Sequence, residues 1–117
     1  GSQTRSFCYV DDLIDALILL MNTPDKVIGP INLGNPSEFT IKELAKKIIL
    51  LTNSKSEIQY LPLPQDDPVQ RRPDIDKAQS VMGWSPTISL EMGLRSTVSY
   101  FESLLGNELK LPSRIEL

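Results

Sequence analysis

Charged side chains that could bind an anion are concentrated in residues 65–76. Asp66 and Asp67 precede a proline, and the adjacent Arg71 and Arg72 are followed by another. A guanidinium group can hold a phosphate or carboxylate through two parallel hydrogen bonds without losing its charge. The stretch therefore predicts a loop that faces a small anionic ligand.

A second polar cluster lies at the start of the chain, in Gln3-Thr4-Arg5-Ser6-Phe7. Arg5 and Arg71 both lie in polar segments at the ends of predicted elements, where binding groups often occur. One interpretation is that the two arginines clamp one anion. The other is that they are surface residues paired with Asp66, Asp67 or Asp74, and the residues alone leave both open.

The sequence offers few groups for catalysis. It has no histidine and one cysteine, so imidazole acid–base chemistry and a zinc or non-haem iron site are not expected. Asp66 and Asp67 have no third metal ligand at a suitable spacing, which favours a solvated or arginine-paired turn. A Walker loop and a Gly-x-Gly-x-x-Gly motif are absent. The tyrosines are expected to be core or strand aromatics; they are Tyr9, Tyr60 and Tyr100.

Length and composition are those of one globular domain: 117 residues, 40% hydrophobic and 23% charged. A net charge of −3 argues against a nucleic-acid partner, which requires a broad basic face. No apolar run approaches the roughly 20 residues that cross a bilayer, so no membrane partner is expected. Cys8 is expected to be a small core residue in a strand.

The predicted elements alternate between strands and helices, which indicates the α/β class. Asp12 is expected to be the N-cap of a helix through Met21 that is apolar on nearly every side and so requires burial on more than one side. Thr40 and Glu43 form a capping-box pattern for a helix to about Leu51. Three short strands are expected, at 6–10, 30–33 and 57–61.

Two further helices are expected in the last third of the chain. Asp74 can cap a helix from Ile75 to Met82, with Gly83 as a left-handed stop. Residues 89–105 show apolar side chains at helical spacing, with Gly106 closing the helix and 106–117 forming a loose tail. So few strands, beside so apolar a first helix, indicate a piece of something larger.

Several motifs occur in a fixed order along residues 1–105. They are Gln3-Thr4-Arg5-Ser6-Phe7-Cys8-Tyr9-Val10-Asp11-Asp12-Leu13, Asn32-Leu33-Gly34-Asn35-Pro36, Phe39-Thr40, Asp66-Asp67-Pro68, Arg71-Arg72-Pro73-Asp74-Ile75 and Gly83-Trp84-Ser85-Pro86. Together they resemble the C-terminal, sugar-nucleotide-binding portion of UDP-glucuronate decarboxylases, members of the extended short-chain dehydrogenase/reductase group.

The resemblance implies what a complete enzyme would do. It would hold NAD in an N-terminal Rossmann part, oxidise C4 of UDP-glucuronate, release CO2 and reduce the product to UDP-xylose. The Tyr-x-x-x-Lys pair and the Gly-rich NAD loop of such enzymes precede this portion and are absent here. The chain alone is therefore expected to be inactive and to bind no NAD. A sister epimerase or 4,6-dehydratase, or a non-catalytic assembly module, remains an alternative.

The resemblance also assigns roles to individual residues. It implies that Gln3, Arg5 and Arg71 contact the UDP-sugar, the last through the diphosphate, and that Arg72 adds supporting charge. Asp12 corresponds to a helix-start position that is structural. The implied partners are the UDP-sugar, the missing Rossmann half and, for the complete enzyme, a second copy in a homodimer. The implied compartment is the cytoplasm, or the Golgi lumen for an animal or plant protein.

Overall fold

The computed structural model describes residues 1–108 and has the predicted α/β class. Strands and helices follow one another in the predicted order. The predicted tail at 106–117 lies outside the described residues, apart from 106–108. The elements are β1 (Thr4–Ser6), α1 (Val10–Met21), β2 (Glu38–Thr40), α2 (Ile41–Leu51), β3 (Gln70–Arg71), α3 (Asp76–Met82) and α4 (Leu90–Glu108).

The three strands form one mixed sheet in the order β2-β1-β3. β1 is antiparallel to β2, with Arg5 opposite Phe39, and parallel to β3, with Arg5 opposite Arg71. Partners in register project from the same face of a sheet, and alternate residues project from opposite faces. Arg5, Phe39 and Arg71 therefore share one face, and Thr4, Glu38 and Gln70 share the other.

The predicted positions of the strands are wrong, although their number is right. The first strand ends at Ser6, and α1 begins at Val10, within the segment predicted as strand. Residues 30–33 and 57–61 form no strand in the structure. A strand requires a neighbour for its backbone groups, and neither segment has one in the described part of the chain. β2 and β3 were not predicted because three and two residues carry too little pattern.

Asp12 does not cap α1, contrary to the prediction. The N-cap position is Tyr9, which makes no side-chain capping bond, and Asp12 lies inside the first turn. Its carboxylate is buried and accepts three hydrogen bonds from the segment before α4, two from Thr87 (amide and hydroxyl, both 3.0 Å) and one from the Ile88 amide (2.9 Å). Asp12 therefore joins two parts of the fold.

The capping box of α2 is present as predicted. The Thr40 hydroxyl accepts from the Glu43 amide at 3.1 Å, and the Glu43 carboxylate accepts from the Thr40 amide at 2.7 Å. The bond from the Thr40 amide, and after it a bond that the Thr40 hydroxyl donates to the same carboxylate at 2.8 Å, lower the pKa of Glu43. The helix spans Ile41–Leu51, the predicted range.

The last two helices follow the prediction with two exceptions: Asp74 is not the N-cap of α3, and Gly106 does not end α4. Asp74 accepts the amide of Asp76, the first residue of α3, at 3.0 Å, so it stabilises the helix start from one position before the N-cap, Ile75. Gly83 ends α3 at φ 65°, the predicted left-handed stop. Gly106, predicted to close α4, lies within the helix, which continues to Glu108.

The core of the described chain is small. Its buried apolar side chains are Ala16, Ile75, Ala78 and Trp84. The expected core aromatics are not all there, since Tyr60 and Tyr100 are 57% and 59% exposed. Cys8 is only half-buried and lies outside the strands.

Helix α1 is largely uncovered. Its buried residues are Asp12 and Ala16, whereas Leu17 and Ile18 are each 47% exposed and Met21 is 76% exposed. An exposed apolar face of this size is unusual in a complete domain. The apolar sequence of this helix predicted burial on more than one side, and the described residues do not supply that burial.

Candidate substrate-binding site

Arg5 lies on the central strand, where β2 and β3 flank it on both sides. Its side chain is 17% exposed. Nη2 donates to Asp67 Oδ1, and Nη1 donates to the Thr4 carbonyl at 2.7 Å. Arg5 is thus paired with Asp67, one of the partners that the second interpretation names, although its side chain is mostly buried and not on the surface. A guanidinium group has five N–H donors, so three remain for a ligand.

Arg71 lies on β3 directly opposite Arg5. Neighbouring strands are about 4.8 Å apart, so the two arginines begin side by side on one face of the sheet. The Arg71 side chain is exposed and makes no ion pair with the described residues. The sheet thus brings together two cations that the sequence places at positions 5 and 71.

The turn before β3 positions the acidic partner of Arg5. Asp66 has φ 68°, a left-handed conformation that aspartate tolerates better than most residues. The Asp67 amide donates to the Pro64 carbonyl at 3.3 Å. This turn brings the Asp67 carboxylate to Arg5.

Residues 1–108 contain no group of three or more histidine, cysteine, aspartate or glutamate side chains that could hold a metal ion.

Gln3 precedes β1, the strand that carries Arg5, and lines a groove of about 530 Å³. The groove is within the size range of small-molecule sites. Neither Arg5 nor Arg71 lines it. The groove is lined by the residues before β1, by the start of α2 and by residues between 58 and 69. They are Gly1, Ser2, Gln3, Ile41, Lys42, Ala45, Ile58, Gln59, Tyr60, Leu61, Pro62, Leu63, Pro64 and Val69.

Arg72 lies close to Glu38, with Nη1 3.9 Å from Oε2, and so extends toward the face opposite the Arg5–Arg71 pair. Glu38 also accepts from Thr4 Oγ1 at 2.8 Å and from Gln70 Nε2 at 2.8 and 2.9 Å. The bond from Thr4 is the largest cause of its lowered pKa, followed by those from Gln70. Sequence reasoning missed Glu38, because no local pattern marks a residue whose partners lie on two other strands.

The thiol of Cys8 is not activated as a nucleophile. Burial, and to a smaller extent the neighbouring Asp12 carboxylate, raise the pKa of the Cys8 thiol above its ordinary value of 9.0. A thiol with a raised pKa is protonated at neutral pH and is a poor nucleophile. Cys8 also lies outside the lining of the groove beside Gln3, so it adds no nucleophile to this site.

Known proteins with similar sequences belong to the family that the sequence motifs resemble. No family model matches the chain. It is 51% identical over 108 residues to UDP-glucuronic acid decarboxylase 1 of Danio rerio and 53% identical over 94 residues to UDP-glucuronic acid decarboxylase 3 of Arabidopsis thaliana. These alignments cover 92% and 80% of this chain, but 25% and 27% of the two relatives. The chain thus spans about a quarter of the length of the curated relatives it matches.

Solved structures resemble this fold over most of this chain and about a third of their own length. UDP-glucose 4-epimerase of Thermotoga maritima with UDP-glucose has a TM-score of 0.81 and 34% identity, covering 90% of this chain and 33% of that one. MoeE5 in complex with UDP-glucuronic acid and NAD has a TM-score of 0.83 and 26% identity, covering 89% and 35%.

The fold is therefore one portion of an extended short-chain dehydrogenase/reductase. Within that class, most of this chain is similar in sequence to the UDP-glucuronic acid decarboxylases. None of the helices described in residues 1–108 is long and apolar enough to span a bilayer.

Proposed function

We propose that residues 1–105 form the C-terminal, UDP-sugar-binding portion of a UDP-glucuronate decarboxylase-like enzyme, in which Arg5 and Arg71 bind the diphosphate. The observation that carries this proposal is the parallel pairing of β1 and β3, which sets Arg5 opposite Arg71. Two guanidinium groups on adjacent strands match a diphosphate, whose two phosphoryl groups each accept charge-assisted hydrogen bonds.

Asp67 gives Arg5 a defined orientation in this proposal. It uses one Nη2 donor of Arg5, and the Thr4 carbonyl uses one on Nη1. A guanidinium group held at two points loses less conformational entropy on binding than a free side chain. Arg71, which is exposed, would then close on the ligand from the edge strand.

Gln3 and Arg72 have lesser parts. Gln3 lines the groove beside the arginine pair, where its amide can contact the nucleotide or sugar. Arg72 adds positive charge near the diphosphate but is drawn toward Glu38 on the other face. Its effect on affinity should therefore be smaller than that of Arg71.

The turn after β1 does not suit the pyrophosphate of NAD. The strand-to-helix turn after β1 consists of Phe7, Cys8 and Tyr9, whose side chains are half-buried. A dinucleotide needs glycines there so that the backbone can approach the pyrophosphate. We therefore assign NAD, the redox steps and the loss of CO2 to the part of the complete protein outside this sequence, and the chain alone should be inactive.

Calorimetry with UDP tests the clamp, using a hybrid protein in which this chain replaces the corresponding quarter of the Danio rerio relative. Loss of the charge-assisted bonds in Arg71→Ala should weaken UDP binding by about 10- to 100-fold. Arg95→Ala is the matched control, because Arg95 is exposed and paired with Glu91 on α4. Equal UDP affinity of the Arg71→Ala and Arg95→Ala hybrids would refute the clamp.

A second candidate function is assembly through the uncovered face of α1, where Ile14, Leu17, Ile18 and Met21 are 47–76% exposed. In this alternative the chain is a non-catalytic module that associates through apolar surface. Sedimentation of the chain alone at rising concentration tests it. A clean monomer at high concentration would count against assembly, and concentration-dependent association would favour it.

A further inference from the structure

The strand that carries Arg71 has little to hold it in place. β3 has two residues, both exposed, and lies at the edge of the sheet. Its backbone pairs with β1, and the Thr4 amide donates to the Val69 carbonyl at 2.9 Å. Proline residues and a left-handed Asp66 precede it, so the approach to β3 has no helix or strand to fix it.

Glu38 supplies side-chain contacts that reach this strand from the opposite face. It lies on β2, at the far edge of the sheet, and is 20% exposed. Its carboxylate accepts from Thr4 on the central strand at 2.8 Å and from Gln70 on β3 at 2.8 and 2.9 Å. One side chain thus links all three strands.

The geometry points to Glu38 as a positioning residue for diphosphate binding: it fixes β3 against β1 and so sets Arg71 beside Arg5. This inference rests on the proposed function. Glu38 does not touch the ligand in this account, because its side chain and Gln70 project from the face opposite Arg5 and Arg71. Its effect reaches the ligand only through the placement of Arg71.

Charge gives the inference a sharp test. Removing a carboxylate near a bound anion should strengthen binding if only long-range electrostatics matter. The inference predicts the opposite sign, because an unfixed β3 no longer places Arg71. Glu91 is a matched control: it is exposed, lies on α4 and loses the same charge when replaced.

The experiment titrates UDP and uridine into the hybrid protein and its variants by calorimetry. Glu38→Ala should weaken UDP binding by about 10-fold, equivalent to one hydrogen bond to a charged group, and leave uridine binding unchanged. Glu91→Ala should leave both unchanged or strengthen UDP binding slightly. Glu38→Gln, which keeps one acceptor oxygen for Thr4 and Gln70, should recover most of the affinity.

Two further measurements separate positioning from loss of fold. Hydrogen exchange of the Thr4 amide should accelerate in Glu38→Ala, whereas exchange in α2 should not. Gln70→Ala removes the hydrogen bonds between Glu38 and β3 without touching Thr4 or the core, and leaves only the longer contact of Glu38 with Arg72. It should therefore reproduce the UDP defect even if Glu38→Ala fails to fold.

The outcomes distinguish the two proposals. If Arg71→Ala weakens UDP binding while Glu38→Ala and Gln70→Ala do not, the positioning role of Glu38 is overturned and the clamp stands. If UDP and uridine binding fall equally in Gln70→Ala, positioning of the diphosphate is also overturned. If the unsubstituted hybrid folds and does not bind UDP, both proposals fail.

Discussion

Replacing Asp12 should destabilise the fold more than any other single acidic substitution in α1. The buried carboxylate accepts two bonds from Thr87 and one from Ile88, which hold the segment before α4 against α1. Asp12→Ala leaves both backbone amides without this acceptor. A hydrogen bond to a charged group contributes about 1.5–3 kcal/mol. Thr87 is exposed and can bond to water instead, whereas Ile88 is half-buried, so we expect a loss of about 2–3 kcal/mol.

Urea unfolding measures this loss. Trp84 is the only tryptophan and is 5% exposed, so its fluorescence reports the core directly. Because the core is small, sucrose can be added equally to all samples to keep the transition in range. Asp11→Asn is the matched control, since Asp11 is exposed in the same turn. A loss in Asp12→Ala within 0.5 kcal/mol of this control, the usual scatter of surface changes, would refute the reasoning.

The same carboxylate predicts a pH dependence. Burial alone would raise the pKa of Asp12, but the hydrogen bonds from Thr87 and Ile88 outweigh it and leave the pKa below its ordinary value of 3.8. A group with a lowered folded pKa stabilises above its unfolded pKa, and this contribution is lost as pH falls through the folded value. The stability difference between the unsubstituted chain and Asp12→Asn should therefore be constant near neutrality and shrink below pH 3.8. A difference that grows on acidification would contradict the assignment.

Three other substitutions test local structure by the same urea assay. Thr40→Ala should lower the free energy of unfolding by about 1 kcal/mol through loss of the capping box, and an unchanged midpoint would contradict that. Two glycines should respond with opposite signs: Gly83→Ala should cost about 1 kcal/mol because φ is 65°, whereas Gly106→Ala, with open space in helix α4, should stabilise by about 0.5–1 kcal/mol. Equal effects at the two glycines would show that backbone conformation does not decide them.

The sequence predicts those parts of the fold that depend on neighbouring residues. The capping box at Thr40 and the stop at Gly83 each involve residues within a few positions, and both are present. The strands depend on partners far along the chain, and all three were misplaced. Asp12 shows the same division, since its helix-start position favoured a cap while its actual donors lie at Thr87 and Ile88.

In the candidate site, the structure shows which residues are neighbours, and the sequence pattern does not. Residue types alone gave Arg5 and Arg71 as anion-binding candidates and Asp67 as a possible partner. Only the pairing of β1 with β3 shows that the arginines are neighbours, and only the sheet shows that Glu38 connects to Gln70. The resemblance to a known family supplied the identity of the ligand, which no spacing in this chain could give.

The most direct test of the central claim is decarboxylation by the hybrid protein. With the Danio rerio relative supplying the rest of the enzyme, we expect the hybrid to release CO2 and form UDP-xylose from UDP-glucuronate. Arg71→Ala should raise KM in that assay. The chain alone should give no product. A folded hybrid that neither binds UDP-glucuronate nor decarboxylates it, or an Arg71→Ala hybrid with an unchanged KM, would contradict the claim that this chain forms the UDP-sugar-binding portion of such an enzyme.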